Sequence, residues 1–145
     1  VDDLVRFLNE RLDEDAALAQ RALAAAHSGA WRTDGILGDL YASYDDPQSG
    51  HVIATADKNE ADVLDHAARH DPDHVLADVE AKRRIFAEHP MEGGAVLGGS
   101  EPLRWRYCAT CHVREEIIGE WPCTTMRLLT LPYADHRDYR DEWRP

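Results

Sequence analysis

Cysteine, aromatic residues and positive charge are all scarce in this chain, and each shortage excludes something. Three cysteines in 145 residues cannot pair off completely, which rules out a scaffold built on disulfides. Reduced thiols suit a cytoplasmic protein, and that is the expected location. Lysine and arginine number 16 against 28 acidic residues, for a net charge of −12. Nucleic-acid binding needs cationic side chains that displace counterions, so no nucleic-acid partner is expected. An anionic membrane surface is excluded on the same ground. No apolar run approaches the ~18 residues that would span a bilayer. The opening stretch VDDLVRFLNERLDED is acidic and amphipathic, unlike a secretory signal or a transit peptide. There is no G-x-x-x-x-G-K-[ST] loop to cradle phosphates, no G-x-S-x-G elbow for a nucleophilic serine, and no internal repeat.

What the chain does contain is ordinary for a globular protein: 43% hydrophobic and 30% charged residues. A chain of this length is most simply one domain, 1–145, able to bury about two-thirds of its surface. Residues Asp3–Ala26 carry Leu4, Leu8, Leu12, Ala19, Leu23 and Ala26 near the helical period. Asp2 and Asp3 suit the start of that helix, and Gly29 suits a left-handed cap at its end. Trp31–Tyr44 and His51–Ala56 flank the turn cluster DDPQSG and read as an antiparallel hairpin or small sheet. Asn59–His70 reads as a short helix. Asp71 followed by Pro72 starts another, running to about Glu88, with Val75, Val79 and Phe86 along one face, Leu76 and Ile85 flanking it, and the Lys82 stem laid over it.

The expected fold is therefore α+β: a long N-terminal helix, a small antiparallel sheet and two helices within residues 1–89. A Gly-rich stretch, 90–107, shows neither helical nor strand period. Residues 108–145 then hold a zinc knuckle, a last helix from Pro122 broken by Pro132, and a polar tail whose Tyr133, Tyr139 and Trp143 pack back onto the body. A loop as long as 90–107 needs something to tie its ends.

All three cysteines lie in RYCATCHVREEIIGEWPCTTMRLL. Cys108 and Cys111 form a C-x-x-C knuckle in which two thiolates can converge on one ion. Cys123 stands at a helix start, where backbone N–H groups favour the thiolate. A closed tetrahedral zinc site needs a fourth donor. Of eight histidines, His89 is the first choice, because it stands where a helix enters the Gly-rich stretch and would join that helix to the knuckle. His112 comes next, then His70 and His66. Three idle buried thiols are the bland alternative.

Other chemistries fit the residues less well. Cys108-Ala109-Thr110-Cys111-His112 spells the c-type haem attachment sequence, but that chemistry needs export and leaves Cys123 unused. A thioredoxin-like dithiol precedes a helix, whereas this pair leads into HVREEIIGE. Should His89 not be a ligand, water could take the fourth position, with Glu115 or Glu116 as base. The deaminase signature is absent, since no H-x-E occurs and no C-x-x-C follows Pro122. His66 and His70 have the spacing of the zinc-protease helix, but Ala67 stands where the catalytic glutamate would be. Arg104, Arg106, Arg114 and Arg127 are nearly balanced by Glu115, Glu116 and Glu120, and make no basic stripe.

Three blocks, DDLVRFLNERLDED (2–15), ARHDPDHVLADVEAKRRI (68–85) and PCTTMRLLTLPYADHRDYRDEWRP (122–145), resemble the uncharacterised actinobacterial and actinophage family called domain of unknown function 6221. GAWR and DHAARHDPDHVL are also similar, over a shorter length, to small Ea22-like phage proteins. In the first family a helix-end histidine, a C-x-x-C and a later P-C travel together. The matching positions here are His89, Cys108, Cys111 and Cys123. Ala30 stands where the family usually has proline. The resemblance implies no activity. The expected function is that of a zinc-stabilised acidic accessory protein of phage or mobile-element kind, meeting a protein partner. The alternative is a thiol-redox or zinc-dependent enzyme using Cys108 and Cys111.

Overall fold

The computed structural model describes residues 2–34, 38–43, 50–57, 60–96, 103–111 and 121–145, with side chains left aside at 94–96, 103 and 104. They belong to two compact units, Leu12–Glu80, and Val1–Arg11 with Ala81–Pro145. The architecture is α+β, as expected.

Helix α1 spans Asp3–Ala26. Its buried residues Leu4, Phe7, Leu8, Leu12, Ala16, Ala19 and Ala26 follow the helical period that the sequence displays. Asp2 caps it, its Oδ1 accepting the Leu4 N–H at 3.0 Å. At the other end the left-handed residue is His27, φ 56°, and not Gly29. Gly29 instead leaves room for the Asp73 carboxylate, whose Oδ1 would lie 1.8 Å from a Cβ there unless that side chain turned aside.

The unit Leu12–Glu80 holds a three-stranded antiparallel meander, β1 (Trp31–Asp34), β2 (Asp39–Ser43) and β3 (Gly50–Thr55), in that order. Trp31 pairs with Ala42 and Asp39 with Thr55, and the β2–β3 register shifts between Leu40 and Tyr41. Leu40 and Ala42 alternate into the core of this unit, and helix α2 (Ala61–Arg69) lies against β1 and β2 with Leu64 buried. Helix α3 (Pro72–Ala87) begins as its sequence demands. Asp71 Oδ1 accepts the His74 N–H at 2.8 Å, while its Oδ2 takes the Trp31 N–H at 3.1 Å. One carboxylate thus serves the helix start and the edge of β1. Along α3, Val79 is buried and Ile85 is 41% exposed.

In the other unit the stretch expected to lack strands forms a hairpin, β4 (Met91–Val96) with β5 (Leu103–Cys108). The expectation failed because Gly93 and Gly94 erase the alternation that reveals a strand. Gly93 is required there: a Cβ would sit 2.4 Å from the Trp105 carbonyl oxygen. Helix α4 covers Thr124–Thr130, with Cys123 rather than Pro122 as the residue before it. A short 3₁₀ turn follows at Leu131–Tyr133.

The tail packs around Phe7, as expected. The Phe7 ring lies 6.4 Å from that of Tyr133, 5.6 Å from His136, 5.9 Å from Tyr139 and 5.1 Å from Trp143. The Arg11 guanidinium sits 5.2 Å over the same ring. Arg140 pairs with Asp3 at 2.6 Å, and Arg106 with Asp2 at 3.1 Å.

Candidate metal centre

The hairpin register sets up the site. Met91 pairs with Cys108, so the residues just before β4 lie beside the residues just after β5. Two further bonds extend the match past the strands. The Ala109 N–H reaches the Pro90 carbonyl at 2.9 Å, and the Thr110 hydroxyl donates to the Glu88 carbonyl. Meanwhile the Glu88 and His89 N–H groups continue the last turn of α3, each at 3.1 Å from its acceptor. His89 is thereby held at a helix end, against the C-x-x-C turn.

Cys123 arrives from a third direction. Its side chain makes no capping bond at the start of α4, which leaves the sulfur available. Arg127 fixes the approach, its Nε donating to the Pro122 carbonyl at 3.0 Å and its Nη1 to the Arg144 carbonyl at 3.3 Å. The sequence offers no signal for this buttress, nor for the Thr110 contact, because neither residue type carries metal chemistry.

One donor atom each from His89, Cys108, Cys111 and Cys123 lies within 4.8 Å of every other. His89 Nδ1 is 3.4 Å from the sulfur of Cys108, 3.5 Å from that of Cys111 and 3.7 Å from that of Cys123. A tetrahedral ion with Zn–S of about 2.3 Å and Zn–N of about 2.0–2.1 Å places nitrogen and sulfur about 3.6 Å apart. The residues therefore fit a zinc-sized cation. An imidazole nitrogen carries at most one proton and cannot donate to three sulfurs at once. A cation at the centre satisfies all of them.

The electrostatics agree. Loss of solvent around its sulfur, then hydrogen bonds and charge repulsion from Cys108 and Cys123, push the Cys111 thiol up to about 12. Three thiolates so close cannot coexist at neutral pH without a positive charge between them, and a bound dication reverses that preference. Cys108 and Cys123 are buried, whereas Cys111 is exposed overall. A cleft of about 310 Å³, lined by Cys111, Cys123, Thr124, Thr125 and Arg127 among others, borders the two sulfurs.

The three cysteines and His89, the first choice for a fourth donor, are the residues whose donor atoms meet. His112, Glu115 and Glu116 lie outside the described residues. His66 and His70 do not join the four, which form the only such group among the described residues.

Fold and site together define a small α+β protein with a Cys₃His donor cluster. A model of the family of unknown function DUF6221 matches residues 1–145. The chain belongs to that family. No curated protein and no solved structure matches it.

Proposed function

We propose that the protein is a non-enzymatic accessory protein whose fold is fastened by one structural zinc ion on His89, Cys108, Cys111 and Cys123, and which meets a basic protein partner through its acidic surface. The observation that carries the reading is the near-equal spacing of three sulfurs about one imidazole nitrogen, at 3.4, 3.5 and 3.7 Å. Four protein donors leave no open position for water, which fits a structural rather than a catalytic ion. When bound, the ion neutralises thiolate charge and ties the end of α3, the β4–β5 hairpin and the start of α4 to one point. The protein's own residues hold the donors in place: Thr110 through Glu88, and Arg127 through Pro122.

The net charge of −12 favours association with a cationic protein surface over one with nucleic acid. None of the helices is long and apolar enough to cross a membrane among the described residues. A cytoplasmic setting, where thiols remain reduced, completes the proposal, together with a phage or mobile-element ancestry suggested by the family resemblance.

Elemental analysis of protein purified without added metal tests this reading, with one zinc per chain expected. Metal-free protein that keeps the same fold would overturn it. The exposure of Cys111 beside its cleft favours a second reading, a reactive thiol pair. Alkylation kinetics separate the two. Zinc-held thiols react slowly until a chelator is added, whereas a catalytic pair reacts fast without one.

A further inference from the structure

The four donors of the metal centre are not equally protected. Cys108 is 0% exposed and Cys123 6%, while His89 is half-buried and Cys111 is exposed. Their places in the chain account for the difference. Cys108 is the last residue of β5, paired with Met91, and Cys123 is the residue before α4. Cys111 stands in the turn that follows β5, past the Thr110 hydroxyl that anchors this turn to the Glu88 carbonyl. All four lie within the same compact unit.

The cleft of about 310 Å³ beside the centre repeats that asymmetry. Of the four donor residues, Cys111 and Cys123 line it, and among the described residues Cys108 and His89 do not. Arg127 lines the same cleft. Its guanidinium is held there by the Pro122 carbonyl at 3.0 Å and the Arg144 carbonyl at 3.3 Å. A thiolate that is partly open to solvent and has a cationic group beside it is in the setting where sulfur reacts. A site that only holds an ion needs no opening of this size onto two of its sulfurs.

We propose that Cys111 is an oxidative modification site, at which a peroxide unlocks the metal centre by forming a Cys111–Cys123 disulfide. This rests on the zinc reading given above. A metal-bound thiol is already deprotonated, and the thiolate is the nucleophile. The Cys111 sulfur attacks one oxygen of hydrogen peroxide, the O–O bond breaks, hydroxide leaves, and Cys111 becomes a sulfenic acid. The Cys123 thiolate then attacks the Cys111 sulfur. An S–S bond forms, the S–O bond breaks, and a second hydroxide leaves. Two solvent protons turn both hydroxides into water, so two thiolates lose two electrons in all and one peroxide is reduced. The two sulfurs start within 4.8 Å of each other, and an exposed side chain such as Cys111 turns on the picosecond-to-nanosecond scale once it leaves the ion. His89 and Cys108 are then the remaining donors, too few for a closed tetrahedral site, and the zinc departs. A dithiol reductant reverses the step by exchange, becoming a disulfide itself.

The test uses the full chain loaded with one equivalent of Zn²⁺, its content checked by elemental analysis, then treated with hydrogen peroxide beside a chromophoric chelator. One zinc per chain should be released at a rate proportional to peroxide, and a dithiol should restore binding. A sulfenate-trapping reagent should label Cys111 first. Peptide mapping after alkylation should show a Cys111–Cys123 disulfide with Cys108 alkylated. Cys111→His keeps a fourth donor and removes the sulfur at the cleft, so it should release zinc at least tenfold more slowly. If that variant does not hold zinc, the trapping and the disulfide map of the unaltered chain decide. A chain that takes up no zinc overturns the zinc reading, and this proposal with it. Zinc-loaded protein that keeps its ion under peroxide overturns this proposal alone. So does trapping centred on Cys108 or Cys123, or a Cys108–Cys111 disulfide as the main product.

Discussion

Replacing Cys123 by serine should remove the zinc-dependent part of the protein's stability and leave the rest measurable. A ligand that binds only the folded state stabilises it in proportion to the logarithm of its free concentration over Kd, about 4.1 kcal/mol at 1,000 times Kd. For a chain of this length that corresponds to a fall in Tm of about 15 °C when the metal is withdrawn. The serine variant also places a hydroxyl where a buried sulfur stood, since Cys123 is only 6% exposed. An unsatisfied buried hydroxyl costs about 1–3 kcal/mol by itself. The two effects separate in a cycle of four melts, wild type and Cys123→Ser, each with and without a strong chelator. Wild type should drop by about 15 °C on chelation, whereas the variant should melt low and ignore the chelator. Differential scanning fluorimetry at fixed protein concentration is sufficient. A wild-type Tm indifferent to chelation would refute the reasoning. A variant that responds to chelator as strongly as wild type would refute the ligand assignment alone.

Other consequences follow from named contacts. Phe7→Ala should destabilise the protein by about 3–5 kcal/mol in urea melts, because the ring is 4% exposed and ringed by four aromatic side chains; a loss below about 1 kcal/mol would contradict the packing described. Gly93→Ala pushes a methyl group against the Trp105 carbonyl, so it should weaken zinc binding although residue 93 touches no ligand, as a competition titration with a chromophoric chelator would show. Arg140 lowers the Asp3 carboxyl from its ordinary 3.8, first by hydrogen bonding and then by charge. The stability it contributes is therefore present above pH 3.8 and is lost as pH falls through the lower folded value. Asp3→Asn should flatten that part of the acid melting curve, and an unaltered curve would show that the pair contributes nothing.

How much of this was legible in the sequence depended on whether a signal repeats. Helix α1 runs over the expected Asp3–Ala26 because its leucines repeat along the whole length. The Asp71–Pro72 start of α3 was legible because the cap residue and the proline act locally. The four donors could be named because thiols and a helix-end histidine are few and chemically distinctive. The β4–β5 hairpin was hidden by its own glycines, which carry no side-chain alternation. The cap of α1 was misplaced because glycine serves two purposes: at Gly29 it makes room for Asp73, while His27 takes the left-handed turn. The contacts of Thr110 and Arg127 that set the donors in place depend on tertiary neighbours, which no local pattern encodes.

Strand β4 reads MEGGAV, and a ribbon so poor in side chains has few of them, such as Glu92 bonded to Tyr107, to resist slipping along its partner. A slide by one residue would turn Cys108 to the opposite face. An ion shared by His89 and Cys108, as proposed, would oppose that slide, because His89 stands two residues before Met91, the partner of Cys108 in the first rung of the ladder. On the proposed zinc reading, the ion would act as a second pin on the pairing frame, beside the close approach of Gly93 to the Trp105 carbonyl. Without such an ion, the exposed backbone of a slipped ribbon would be an edge open to pairing with another chain.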